Sequence, residues 1–282
     1  MSGGHSGEAI PVPIPNTEVK LSYADDTAFG GKVGCCRTFF VYRQKGDIMD
    51  AALYLIPVTL GDTKYEKVLP SYNLDIIKQI KIFIVENIKS AKRFLAKIDN
   101  SHVDDAIFYE LNEHTEAKDI LNYLDALENG ESIGVISEAG CPAVADPGAD
   151  IVAIAHKKNL KVVPLVGPSA ILMAVMSSGF SGQSFAFNGY LPVKNPERSN
   201  KLKQLEQRAY KERQTQLFIE TPYRNRQMFE SILAACKPET KLCIAAGITT
   251  DFEFIKTRTV SAWKKTGLPE LKKVPAIFLI YF

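Results

Sequence analysis

The chain of 282 residues has no apolar run of the roughly 18 residues that a membrane-spanning helix needs, so none is expected. Its first residues, MSGGHSGEA, lack the basic and apolar stretches of a secretory signal. The five cysteines (Cys35, Cys36, Cys141, Cys236, Cys243) are odd in number and scattered, with no C-x-x-C pair, and only four histidines accompany them. That gives a structural zinc site no support, so no metal is expected, and a reduced, cytoplasmic setting is the simplest reading. Missing too are a G-x-G-x-x-G after the first strand and a G-x-x-x-x-G-K-[ST], which leaves a Rossmann dinucleotide site and a P-loop without support. A formal charge of +2 excludes binding by bulk positive charge, though not through a local basic patch.

What is present is a regular alternation of apolar strand signals with amphipathic segments. Residues 1–48 carry glycines, spaced prolines and no sustained period, and read as a leader or extension, with Met49 as the natural start and a small N-terminal subdomain as the alternative. From there strands are expected at 53–58, 82–86, 106–111, 132–137 and 161–166. Helices are expected at 74–81, 88–97, 113–130 (closing on Gly130) and 150–159. This calls for a parallel, doubly wound sheet covered on both faces. The second half alternates less strictly: helices at 170–179, 197–213 and 225–236, strands at 184–190, 216–220 and 241–247, then 253–260 and 276–282. It predicts a mixed sheet. The fold class is therefore α/β with two α/β domains, 49–167 and 168–282.

The chemistry is expected in loops at strand ends, where open α/β sheets bind ligands. The densest is Ser137-Glu138-Ala139-Gly140-Cys141-Pro142-Ala143-Val144-Ala145-Asp146-Pro147-Gly148, a rigid turn whose backbone can approach a ligand closely. It also reads as a tight strand–helix connection in which Asp146 caps the next helix. Four further loops follow apolar strands: Val166–Ala170, Asn188–Pro192, Glu220–Arg224 and Ala245–Thr250. Five such loops converge if they share one rim.

The runs VISEAGCPAVADPG, KVVPLVGPSA, FNGYLPVK, FIETPYR and AAGITTDFEF, in that order, resemble the tetrapyrrole methylase superfamily, the class III S-adenosylmethionine-dependent methyltransferases. The most similar branch methylates a ribose 2′-hydroxyl of a cytidine in small-subunit ribosomal RNA. The resemblance covers about residues 53–282 and implies two α/β domains, a cofactor cleft between them and a homodimer. It implies S-adenosylmethionine as cofactor, with Pro57, Ser137, Glu138, Ala139, Gly140, Cys141, Pro142, Ser169, Ala170, Ala245, Ala246 and Gly247 at cofactor-facing motif positions. Tyr190, Lys194, Tyr223 and Arg224 fall at motif positions on the cleft rim, facing the substrate. Departures concentrate in charged positions. Asn87 and Lys89 stand where the branch has Asp and Arg, Glu138 stands for Asp, and Ala246-Gly247 stand for Arg-Glu.

Methyl transfer from a sulfonium is an in-line displacement that consumes a positive charge, so backbone carbonyls suit the site better than a strong anion at the sulfur. A ribose hydroxyl is a weak nucleophile and benefits from a base. Glu86 and His114 are the candidate catalytic groups, because both occupy motif positions of the family. Charge is unevenly placed. Residues 193–226 hold nine Lys/Arg against four Glu, and residues 256–273 hold six against one, while residues 99–131 hold ten acidic groups against one Lys. Such runs are usually solvated faces, but two basic segments flanking the cleft also suit an RNA backbone. The expected function is an RNA methyltransferase, with a small-molecule methyltransferase or a non-catalytic cofactor- or RNA-binding relative as alternatives.

Overall fold

A computed structural model describes residues 51–112, 115, 117–271 and 274–282. The expected leader and His114 lie outside the described residues.

Short, mostly apolar segments form the first sheet: β1 (Leu53–Ile56), β2 (Ile82–Val85), β3 (Ile107–Glu110), β4 (Ile133–Ile136) and β5 (Val162–Pro164). All pair in parallel in the order β3-β2-β4-β1-β5. Every residue of β2 and β4 is buried, as strands covered on both faces require. Helices α1 (Ser71–Ile77), α2 (Ile88–Ile98) and α3 (Asn100–Asp104) belong to one face, where Ile77, Ala91, Leu95 and Val103 meet Tyr54, Ile56 and Phe83. In α2 the buried Ala91 and Leu95 lie one turn apart, and Lys89, Lys92, Arg93 and Lys97 point outward, the period expected of an amphipathic helix. Its start is fixed by Asn87, whose side chain accepts from the Ser90 N–H at 3.0 Å. Helices α4 (Ala117–Asn122), α5 (Asp125–Glu128) and α6 (Ala149–Lys157) cover the other face.

Three local expectations are corrected. The single helix at 113–130 is broken into α4 and α5. Tyr123 stacks on Tyr109 (4.9 Å between ring centroids) and donates its hydroxyl to the Glu110 carbonyl, while Leu124 is fully buried, and these contacts turn the chain. The helix expected at 74–81 starts at Ser71, directly after Pro70. Asp146 does not cap α6. The N-cap is Gly148, and no side chain caps that helix.

The second sheet comprises β6 (Phe185–Tyr190), β7 (Thr215–Glu220), β8 (Lys241–Ala246), β9 (Phe254–Thr259) and β10 (Ala276–Tyr281), in the order β6-β7-β10-β8-β9. Only β6 and β7 pair in parallel, so the sheet is mixed as expected. Helix α7 (Ala170–Ser178) packs on the face that carries Leu217, Cys243, Ala245, Ile277 and Leu279. Helices α8 (Glu197–Glu212), α9 (Asn225–Ala235) and α10 (Val260–Thr266) pack on the opposite face, against Phe218, Ile244 and Phe278. Trp263 of α10 is buried there. It meets Phe229 edge-on at 5.6 Å and donates its indole N–H to the Leu242 carbonyl.

Candidate functional site

The carboxyl ends of β1, β4 and β5 and the strand ends of the second sheet border one cleft, partly open to solvent. Its first wall is the β4–α6 loop (Ala139, Gly140, Cys141, Val144, Ala145, Asp146) with Leu60 and the start of α7 (Ser169, Ala170, Ile171). Its second wall is Phe187, Tyr190, Ile219, Glu220, Ala245, Gly247 and Ile248, closed by Pro275, Ala276 and Ile277.

Backbone geometry holds the first wall. Gly140 sits at φ +72°, and a Cβ there would lie 3.0 Å from Leu60 and 3.3 Å from the Pro168 carbonyl. The Val58 N–H donates to the Gly140 carbonyl at 2.9 Å, tying the loop to the end of β1. Ala143 and Ala145 also take left-handed conformations (φ 65° each), an uncommon state for residues with a Cβ. They bend the loop so that Asp146 borders the cleft. Ser169 caps α7 by accepting from the Leu172 N–H.

Among the residues expected to face the cofactor, Ala139, Gly140, Cys141, Ser169, Ala170, Ala245 and Gly247 line this cleft. Pro57, Ser137, Glu138, Pro142 and Ala246 do not. Pro57 is buried against Gly167, where a Cβ on the glycine would stand 2.2 Å from the proline Cβ. Ser137, Pro142 and Ala246 are buried, and Glu138 is exposed and accepts from the Ser90 hydroxyl at 3.1 Å. Of the expected rim residues, Tyr190 lines the cleft, whereas Lys194, Tyr223 and Arg224 lie outside its lining.

Three carboxylates gather at one end of the first wall. Glu86, at the end of β2, accepts from the Glu138 N–H at 3.4 Å. Its pKa is raised, chiefly by burial and then by the negative charge of Asp146. Asp146 is raised as well, chiefly by burial, with the Ser137 hydroxyl pulling the other way. Burial likewise raises the Cys141 thiol. On the second wall Glu220 is almost wholly buried, and its Oε1 accepts from Arg224 Nη2 at 2.7 Å, Arg224 Nε at 2.8 Å and the Thr221 N–H at 2.7 Å. The cation makes up most of the balance for that buried charge.

The basic segments do not both flank the cleft. The cleft uses Phe187, Ile219, Ala245 and Ile277, on the α7 face of the second sheet, whereas α8 and α10 cover the opposite face. Side chains alternate across a strand, so these two sets are separated by the sheet itself.

Asp146 and Glu220 stand in strand-end loops of the sequence, yet neither falls at a motif position expected to face cofactor or substrate. Leu60, Val144, Ala145, Ile171, Phe187, Ile219, Ile248, Pro275, Ala276 and Ile277 carried no signal that separates a cleft wall from a core. Only the pairing of the strands distinguishes the two.

No protein-family profile matches the chain. Among curated proteins, the ribosomal RNA small subunit methyltransferase I of Vibrio cholerae is 30% identical over 204 residues, covering 72% of this chain and 67% of that protein. The protein of the same name from Buchnera aphidicola subsp. Schizaphis graminum is 29% identical over 234 residues, covering 81% and 77%. Among solved structures, the methyltransferase CobJ superposes with a TM-score of 0.55 at 14% identity, covering 82% of this chain and 94% of that one, a likeness of fold alone. With this sequence similarity spanning most of both chains, the protein belongs to the ribosomal RNA small subunit methyltransferase I family.

Proposed function

We propose that the protein transfers a methyl group from S-adenosylmethionine to a ribose 2′-hydroxyl of small-subunit ribosomal RNA. The observation that carries this reading is the cleft. It is walled by backbone and apolar side chains contributed by both sheets, and the carboxylates in its lining among the described residues, Asp146 and Glu220, belong to loop and strand ends.

The residues present fit the cofactor. Gly140 and, opposite it, Gly247 bring bare backbone to the cleft in positive-φ turns where a Cβ would come within 3.0 Å of neighbouring atoms, and Ala139, Ser169, Ala170 and Ala245 would hold the cofactor between them. When bound, S-adenosylmethionine supplies an electrophilic methyl and leaves as a neutral thioether. Weakly charged walls favour loss of the positive charge. The acceptor oxygen forms the new O–C bond as its O–H bond breaks, and its proton passes to a carboxylate. Asp146, in the cleft lining, serves that role, with Glu86 behind it and outside the lining: burial raises the basicity of both above that of an ordinary carboxylate, closer to the working pH. His114 keeps a substrate-side role on its motif position.

The reading extends to a cytoplasmic homodimer with domains divided at 167/168. Val166 (73% exposed), Leu172 and Met176 (82% exposed) border one groove beside Pro70 and Pro168, an apolar surface that a second copy would cover.

The test is methyl incorporation into small ribosomal subunits from a strain lacking the protein, followed by mass spectrometry of the released nucleosides. A 2′-O-methylated nucleoside is expected. Intact cofactor binding by calorimetry with no label in the RNA would overturn the RNA assignment, and a labelled small molecule in place of RNA would favour the alternative acceptor.

A further inference from the structure

Two large aromatic rings stand in solvent where β6 and β7 end: Tyr190 is 61% exposed and Tyr223 84% exposed. An exposed aromatic of this size forfeits the burial that would stabilise the fold, so two together mark a surface with another use.

Their placement is built rather than incidental. The parallel pairing of β6 with β7 runs in register to Phe187 and then slips by one residue, so that Tyr190 rather than Gly189 comes opposite Ile219. Asn188 fills the irregularity, its amide donating to the Ala186 and Leu217 carbonyls at 3.1 Å each, and Gly189 passes through φ +61°. Irregularities of this kind re-aim a side chain, and here they bring Tyr190 to the lip of the cleft. Tyr223 sits on the single turn Pro222–Arg224 that follows β7. That turn is fixed from within, because the buried Glu220 grips Arg224 through both Nε and Nη2. Arg224 lies within electrostatic reach of both phenol groups.

We propose that Tyr190 and Tyr223, with Arg224 locked beside them, form a stacking platform for an unpaired nucleotide of the RNA substrate at the mouth of the cleft; this rests on the RNA reading above. Aromatic rings accept the face of a splayed base, and a guanidinium serves a phosphate or a second base face. A base held in a duplex presents no such face. The enzyme therefore selects a single-stranded or opened target, and the acceptor ribose is delivered beside Asp146 by holding its own base or the adjoining one outside.

The closing experiment measures anisotropy of a labelled single-stranded oligoribonucleotide and of a hairpin duplex of the same composition. It compares the full chain with Tyr223→Ala and Tyr223→Phe. Tyr223 is outside the cleft lining, so calorimetric binding of S-adenosylmethionine serves as the folding control. Expected are a wild-type preference for the single strand and a loss of roughly tenfold in Tyr223→Ala, as for one base–aromatic stack. Near wild-type affinity is expected in Tyr223→Phe, with no change for the duplex. Unchanged single-strand affinity in Tyr223→Ala, or an equal loss for both RNAs, overturns the platform while leaving the RNA reading in place. Wild-type protein that binds the cofactor but neither RNA overturns the RNA reading, and the platform with it.

Discussion

Arg224→Ala is the sharpest probe of how the rim is held. The substitution removes two charge-assisted hydrogen bonds, at 2.7 and 2.8 Å, from a Glu220 side chain that is 1% exposed. What remains for that carboxylate is the Thr221 backbone N–H at 2.7 Å and a longer contact from the Thr221 hydroxyl at 3.3 Å. Removing one partner of a buried pair costs about 3–5 kcal/mol, because the other charge is left uncompensated. Arg224 itself keeps 29% of its side chain in solvent, which places the expected loss at the lower end, about 3 kcal/mol. Urea unfolding of the full chain at neutral pH measures it. The double variant Glu220→Gln/Arg224→Met removes both charges with similar volume and should recover most of the loss. A loss below about 1 kcal/mol in Arg224→Ala would place the pair among ordinary surface ion pairs. That outcome, or a double variant less stable than the single one, would refute the reasoning.

Two further predictions concern the first wall. Glu86 and Asp146 have raised pKa values in the folded chain, so their contribution to stability is present at low pH, below the unfolded value, and is lost as pH rises through the folded value. Asp146→Asn should therefore raise the melting temperature slightly at neutral pH. It should also lower the methylation rate and remove the rise of rate with pH that the carboxylate produces; an unchanged pH–rate profile counts against a base role. Gly167→Ala forces a Cβ to within 2.2 Å of the Pro57 ring, between two rigid backbones, and should cost about 1–3 kcal/mol by thermal unfolding with weaker cofactor binding. A wild-type melting temperature would show that the two loops yield freely.

Much of the scaffold is legible in the residues because burial on both faces leaves a plain signature. The segments LYLI, IFIV and IGVI are apolar throughout, and each becomes a parallel strand. Asn87 and Ser169 declare helix starts through their side chains, and both act as caps. Asp146 has the same chemistry and does not cap, since the left-handed Ala143 and Ala145 redirect the loop, and alanine carries no mark of that conformation. The division of 113–130 into two helices turns on a long-range hydrogen bond from Tyr123 to Glu110, which no local period records. For the site, loop glycines and prolines pointed to one wall. Ile219, Ala245 and Ile277 look the same as Phe218, Ile244 and Phe278 in sequence, and only their parity on the strand decides which set meets the cleft.

The second sheet has a central strand, β10, that follows its four companions in the chain. On the ribosome, β7 and β8 are therefore made with the edges that will flank it still open, and they wait through all of β9 and α10 before the piece that joins them emerges. During that interval two apolar strands expose unpaired edges, the condition under which strands of different chains pair with one another. An enzyme that belongs to a family named for ribosomal RNA thus has a period of vulnerability during its own translation, and the second wall of its cleft is the last part to be assembled.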